Sequence, residues 1–263
     1  MIRECRFILV LTFAGACLCR AALVFTGGYS QDFNSLASSG TGNNWTDNST
    51  ISGWYASESG GTLSSYNASA GTSSAGGLWS FGSSGSSERA LGALPSGTTG
   101  NIFWGAAFQN DTAGTIMALQ IVYTGEQWRD GAQGTLQFAY YIGDPSSISS
   151  AGWTTVSSLT FSGLKSDTGS NSSTESLDGN SSANSTGISF TISGLTVSSG
   201  SDFWIRWEDD QQSGYNSGLA IDNFSIQAVP ELPAWGASAG AGLLALCVWR
   251  VWRQYRYGEK LKS

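Results

Sequence analysis

No histidine occurs among the 263 residues, and the four cysteines, Cys5, Cys17, Cys19 and Cys247, all fall near one end or the other. The middle of the chain therefore has neither thiol nor imidazole. This excludes internal disulfides, Ser-His-Asp and Cys-His nucleophiles and the usual zinc ligand sets from that stretch. Positive charge is equally scarce. Between Ala22 and Val229 the only bases are Arg89, Arg129, Lys165 and Arg206, whereas of the nineteen acids only Glu4, Glu231 and Glu259 lie outside that span. So acidic a surface repels phosphate backbones and speaks against nucleic acid as a partner. Long apolar runs are confined to the two ends.

At the N-terminus, Arg3 and Arg6 precede the apolar stretch FILVLTFAGACL, and small residues follow at Cys19 and Ala21. This is the layout of a secretory signal peptide over 1–21, a signal helix with cleavage after Ala21. Lipidation at Cys17 and a plain N-terminal core strand are the alternatives. At the other end, Ala234 to Trp249 is uncharged. As a helix it would reach about 24 Å, short of the ~30 Å hydrocarbon core. Trp249 and Trp252 at headgroup level and outward-reaching Arg250 and Arg253 extend it, which predicts a transmembrane helix over about 234–252. Arg250, Arg253, Arg256, Lys260 and Lys262 outnumber Glu259 beyond it, so the basic end is expected to be cytoplasmic and residues 22–228 to form an exported ectodomain.

The segment VPELPAWGASAGAGLLALCVWRVWRQYR resembles the PEP-CTERM sorting tails of Gram-negative bacteria, which carry a Val-Pro-Glu-Pro motif, one apolar helix and an arginine cluster. Here Val229, Pro230 and Glu231 match; Leu232 stands at the second proline and Pro233 follows one place later. Arg250, Arg253 and Arg256 are interleaved with Trp and Tyr rather than consecutive. The resemblance covers 229–263. It implies recognition by an exosortase-type membrane transpeptidase, and a protein anchored in the cell envelope or released to the cell surface or extracellular matrix. It implies nothing about catalysis.

The exported span alternates short aromatic or β-branched segments with Gly, Ser and Asn turns, among them TIMALQIVYTG, GTLQFAYYIG, DFWIRWED and GLAIDNFSIQAV. With no convincing amphipathic helix between them, they predict an all-β fold, an antiparallel two-sheet sandwich of jelly-roll or concanavalin-like type. Ser166 to Gly187 has almost no apolar residue and reads as a long mobile loop.

Three places are candidates for chemistry. In YTGEQWRDG, Glu126, Trp128 and Arg129 gather at a strand end. The indole would stack on a sugar while Glu126 and Arg129 hydrogen-bond its hydroxyls, or else Trp128 fills the core and Arg129 forms a salt bridge. GEQWR also resembles exported bacterial β-sandwich proteins of unassigned function. In DFWIRWEDD, Glu208, Asp209 and Asp210 cluster at a strand exit, where calcium or an arginine would relieve their repulsion. LAIDNFSI resembles the last strand of jelly-roll carbohydrate-binding modules, with YSQDFNSL as its partner near the start. In such modules a structural calcium often sits by the terminal strands, which makes Asp32 and Asp222 candidate ligands here. Of eight tryptophans in the span, most are expected in the core; Trp45 and Trp54, set among turn residues, are the candidates for an exposed stacking platform.

The first functional expectation is a non-catalytic exported surface or matrix protein. The alternative is a carbohydrate-binding, lectin-like module for envelope or extracellular polysaccharide. A second alternative, a glycoside hydrolase, would need two carboxylates about 5 to 10 Å apart, and Glu126 and Glu208 are the strand glutamates able to supply them only if their strands are neighbours.

Overall fold

The computed structural model describes residues 21–132, 134–166, 175–212 and 214–230. The signal segment up to Arg20 lies outside them, as do Glu231, Pro233, the apolar run over 234–252 and Arg250, Arg253 and Arg256. Among the described residues no helix is long and apolar enough to cross a membrane.

The strands, in chain order, are β1 (Leu23–Phe25), β2 (Gly28–Gln31), β3 (Asn43–Asn44), β4 (Trp54–Glu58), β5 (Ser65–Ser69), β6 (Gly77–Phe81), β7 (Ala90–Leu94), β8 (Ile102–Asn110), β9 (Ile116–Arg129), β10 (Thr135–Ile142), β11 (Thr154–Thr155), β12 (Phe161–Ser162), β13 (Ser185–Val197), β14 (Asp202–Asp209) and β15 (Gly218–Ala228). One sheet runs β1-β8-β14-β10-β11, with β4 also on β8 and β12 on β10. The other runs β13-β9-β15-β7-β6-β5-β3, with β2 also on β15. From β8 onward the long strands β8, β9, β10, β13, β14 and β15 alternate between the sheets, so each crossing returns the chain over the core.

The expected sandwich is present, but its sheets are mixed rather than purely antiparallel, because β1 runs parallel to β8 and β5 parallel to β6. In the second case residues 70–76 carry the chain back to the same end of the sheet before β6 begins. The expected pairing of the first and last segments is observed: Gln31 lies opposite Phe224 and Tyr29 opposite Ile226.

Period-two alternation places Leu119, Ile121 and Tyr123 of β9 and Phe203, Ile205 and Trp207 of β14 in one interior. There Trp54 stacks on Trp207 (ring centroids 6.2 Å apart, 7° between planes), and Phe224 meets Trp207 edge-on at 5.4 Å. Burying one large apolar side chain stabilises by about 1.5–3 kcal/mol, and a well-placed aromatic pair adds about 0.5–1.5 kcal/mol.

Each sheet also bears a buried cluster on its outer face. On the β9 sheet these are Trp79, Phe81, Ala90, Leu94, Trp128 and Ala220; on the β14 sheet, Tyr55, Phe103, Ala107, Ile148 and Trp204. These clusters explain the abundance of tryptophan: seven of the eight in this span are buried and Trp153 is half-buried.

The long loop expected over Ser166 to Gly187 is corrected in its second half. Ser185–Gly187 already belong to β13, and the residues just before it dock along the end of β9. Leu177 N donates to Trp128 O (2.8 Å), Asp130 N to Glu175 O (3.1 Å) and Gln127 N to Asn184 O (2.9 Å). β13 pairs with β9 only as far as Glu126, so this segment satisfies the backbone groups beyond it.

Candidate functional site

The end of β9 brings Glu126 and Trp128 to the outer face of their sheet. Trp128 Nε1 donates to Glu126 Oε2 at 2.8 Å. The indole lies parallel to Phe81 (6.2 Å, 4°), which stacks in turn on Trp79 (5.7 Å, 18°). Trp128 is fully buried, so its ring has no face free for a sugar. Of the two readings of this residue, packing is the one realised.

β15 supplies the next member. Its register against β9 shifts between Asp222 and Ser225, where Asn223 and Phe224 oppose the single residue Tyr123, and Asn223 has φ 49°. Asn tolerates this left-handed conformation better than most side chains. The bulge keeps Ile221 and Phe224 in the core while Asp222 turns outward beside Glu126.

Glu88, just before β7, completes a cluster. Ligand oxygens of Glu88, Glu126 and Asp222 lie within 4.8 Å of one another. Glu88 Oε2 accepts from Asn180 of the docked segment, and Asp222 Oδ2 accepts from Asn223 Nδ2 (2.6 Å). Glu88 Oε1 and Asp222 Oδ1 are buried with no donor. Burial pushes Glu126 up to about 8; its bond from Trp128 opposes this, and Asp222, Glu88 and Asp178 add to it. Asp222 is pushed up to about 7, again chiefly by burial, with Glu88 and Asp32 adding. The nearby cation, Arg89, directs Nε to Ser80 Oγ (2.9 Å) and Nη2 to Ser80 O.

Other expected site residues fall elsewhere. Asp32 is exposed and accepts from Asn34 N (3.2 Å); it lines a shallow pocket of about 310 Å³ with Asn223. It is not one of the three converging acids. Glu208, Asp209 and Asp210 do not converge as a calcium site, because strand alternation turns Asp209 away from its neighbours into a buried position. Glu208 meets Arg206 at 3.0 Å, and Asn101 Nδ2 donates to both Glu208 (3.1 Å) and Asp210 (2.8 Å). Arg206 also donates to Ile148 O (2.7 Å) and lies 4.6 Å from the Trp153 ring centroid, holding the 143–153 segment over its sheet.

Trp45 and Trp54 are corrected from exposed to buried, at 4% and 0% exposure. The turn residues around them do not aim the rings outward, since Trp45 Nε1 finds Asp47 (2.9 Å) and Trp54 Nε1 finds the Tyr29 hydroxyl (2.9 Å).

Arg129 does not share Glu126's surroundings. Its Nη1 donates to Gly71 O (3.0 Å), and it lines a pocket of about 130 Å³ with Ser74, Ser96, Tyr215 and Asn216. Tyr215 is 56% exposed. Neither Glu88 nor Tyr215 carries a sequence signal, because both stand in polar, Gly/Ser-rich stretches without periodicity.

No protein-family model matches the sequence, and no curated protein does. Among solved structures, the chain is similar to the enzymatically active domain of tailspike protein 4 of bacteriophage CBA120, at 10% identity and TM-score 0.37, over 71% of this chain and 21% of that one. It is also similar to two carbohydrate-binding modules. TmCBM61, solved in complex with β-1,4-galactotriose, is 9% identical at TM-score 0.34, over 71% of this chain and 99% of the module. CtCBM11 is 12% identical at TM-score 0.30, over 78% and 98%. The chain spans about a fifth of the tailspike domain's length. At these scores the likenesses carry no fold, ligand or activity to this chain, whose β-sandwich stands on its own strand pairing.

Proposed function

We propose that this chain is a non-catalytic surface or matrix module, exported by its N-terminal segment and delivered by its PEP-CTERM-like tail to an exosortase-type membrane transpeptidase. The tail sequence supports the delivery step. The non-catalytic part is supported by the placement of Glu126 and Glu208, the pair of strand glutamates expected to act together in a glycoside hydrolase. They stand on different sheets and face outward on opposite sides of the sandwich, so they cannot flank one glycosidic bond. Fractionation of cells expressing the full chain tests delivery, with Pro230→Ala and Glu231→Ala beside it. Recovery in the envelope or at the surface, altered by the variants, is expected; an intact chain free in the cytosol overturns the proposal.

A second reading, polysaccharide binding, is favoured by one place. The pocket of Arg129, Ser96 and Asn216 combines a guanidinium, a hydroxyl and an amide beside the exposed ring of Tyr215, the mix that orients a sugar. A glycan array with Tyr215→Ala as comparison tests it: binding lost in the variant supports this site, and no binding at all removes the reading.

A further inference from the structure

We propose that Glu88, Glu126 and Asp222 form a buried binding site for one divalent cation of the calcium class.

The three acids come from separate parts of the chain: the entry to β7, the end of β9 and the bulge of β15. Nothing local obliges them to meet. Their oxygens nevertheless lie within 4.8 Å of one another. An ion among oxygens this close comes near the 2.3–2.6 Å of a calcium–oxygen bond to all three, and small side-chain shifts complete the approach. Each acid keeps one carboxylate oxygen engaged elsewhere: Glu126 with Trp128, Glu88 with Asn180, Asp222 with Asn223. These bonds hold the carboxylates in place. On Glu88 and Asp222 the remaining oxygens, Oε1 and Oδ1, are shut off from solvent with no donor. Asp222 is only 3% exposed, so its free oxygen is a buried acceptor aimed at the other two acids. Buried acceptors are nearly always satisfied, and one left over calls for a partner.

The charges around the site point the same way. Asp32 near Asp222 and Asp178 near Glu126 add negative charge; against them stands one cation, Arg89 beside Glu88, whose Nε and Nη2 are on Ser80 and whose Nη1 has no acceptor. A proton shared between Glu88 and Asp222 neutralises one carboxylate of three, whereas a divalent ion acts on all at once. The donors are all oxygen, which suits a hard cation. The three acids supply only part of the six to eight oxygens calcium takes, and water completes the shell; calcium's flexible geometry accepts such an irregular set better than the near-ideal octahedron magnesium demands. Through Asn180 the same ion would also tie the 175–184 segment to its sheet.

The test uses the full chain purified in detergent and stripped with a chelator. Calorimetric titration with calcium chloride is expected to show one ion per chain and a rise in melting temperature, with magnesium much weaker. Terbium, as a calcium substitute, is expected to emit by energy transfer from Trp128, whose indole touches Glu126. Asp222→Asn and Glu88→Gln are expected to weaken calcium binding on the order of 100-fold, since affinity follows ligand charge count, while Asp32→Asn leaves it nearly unchanged. Glu88 is the least buried of the three, so its variant remains informative if Asp222→Asn does not fold. Absence of calcium-dependent heat, melting shift and terbium emission in the folded wild-type chain overturns the site in favour of a shared proton. Binding untouched by both ligand variants overturns the assignment of these residues.

Discussion

The indole of Trp128 donates a 2.8 Å hydrogen bond to Glu126, two residues back on the same face of β9. The ring and the acid expected to hold a sugar are joined to each other and sealed under the 175–184 segment. Trp128→Phe keeps a ring against Phe81 but leaves Glu126 Oε2 without its donor. It is expected to lower unfolding free energy by about 1–3 kcal/mol, and Trp128→Ala by about 3–5 kcal/mol, as measured by urea unfolding.

Gly179 lies against that indole so closely that an added Cβ would sit 2.3 Å from Trp128 Nε1. Gly179→Ala is therefore expected to lift the docked segment. The readouts are a red shift of tryptophan emission and faster proteolysis within 175–184, with the circular dichroism of the sheets unchanged.

In chelated protein, stability is expected to fall as pH rises. Burial raises Glu126 from 4.5 to about 8 and Asp222 from 3.8 to about 7, so the folded state holds protons that the unfolded chain releases. Their contribution is complete below the unfolded values and is lost as pH climbs through about 7 to 8. Urea midpoints across this range check it. Glu126→Gln should flatten the slope, and a midpoint that increases with pH would contradict the assignment.

Arg206 binds Glu208, the Ile148 and Ser150 carbonyls and the Trp153 ring from one guanidinium. Arg206→Lys keeps the charge but loses the planar fork. It is expected to cost about 1–3 kcal/mol and to speed hydrogen exchange in residues 143–153.

Tyr215→Ala, by contrast, removes an exposed ring and is expected to change stability by no more than about 0.5 kcal/mol. Any glycan affinity lost with it is then a property of the pocket.

Much of the sandwich is legible in alternation. TIMALQIVYTG, GTLQFAYYIG, DFWIRWED and GLAIDNFSIQAV all become strands, and the early YSQ segment pairs with the last strand. WTTVSSLTF, with threonines and a valine at strand-like spacing, is not one strand: it forms β11, a 3-10 turn at Ser157–Leu159 and β12. There the chain turns a corner at the end of β10, and both fragments pair with that strand. Of the site, Glu126 and Asp222 stand out in the sequence, but for different roles and with different partners. Glu88 does not stand out, because a lone acid in a Ser/Gly segment has no pattern to distinguish it.

What the sequence determines by itself is chemical inventory and local period: an acidic middle without thiol or imidazole, strands that alternate, and two ends built unlike the rest. Which acids converge and which rings are sealed is decided only in three dimensions. Alternation assigns a side chain to a face, but the register between distant strands, the bulge at Asn223 and the segments laid over each sheet determine what that face meets.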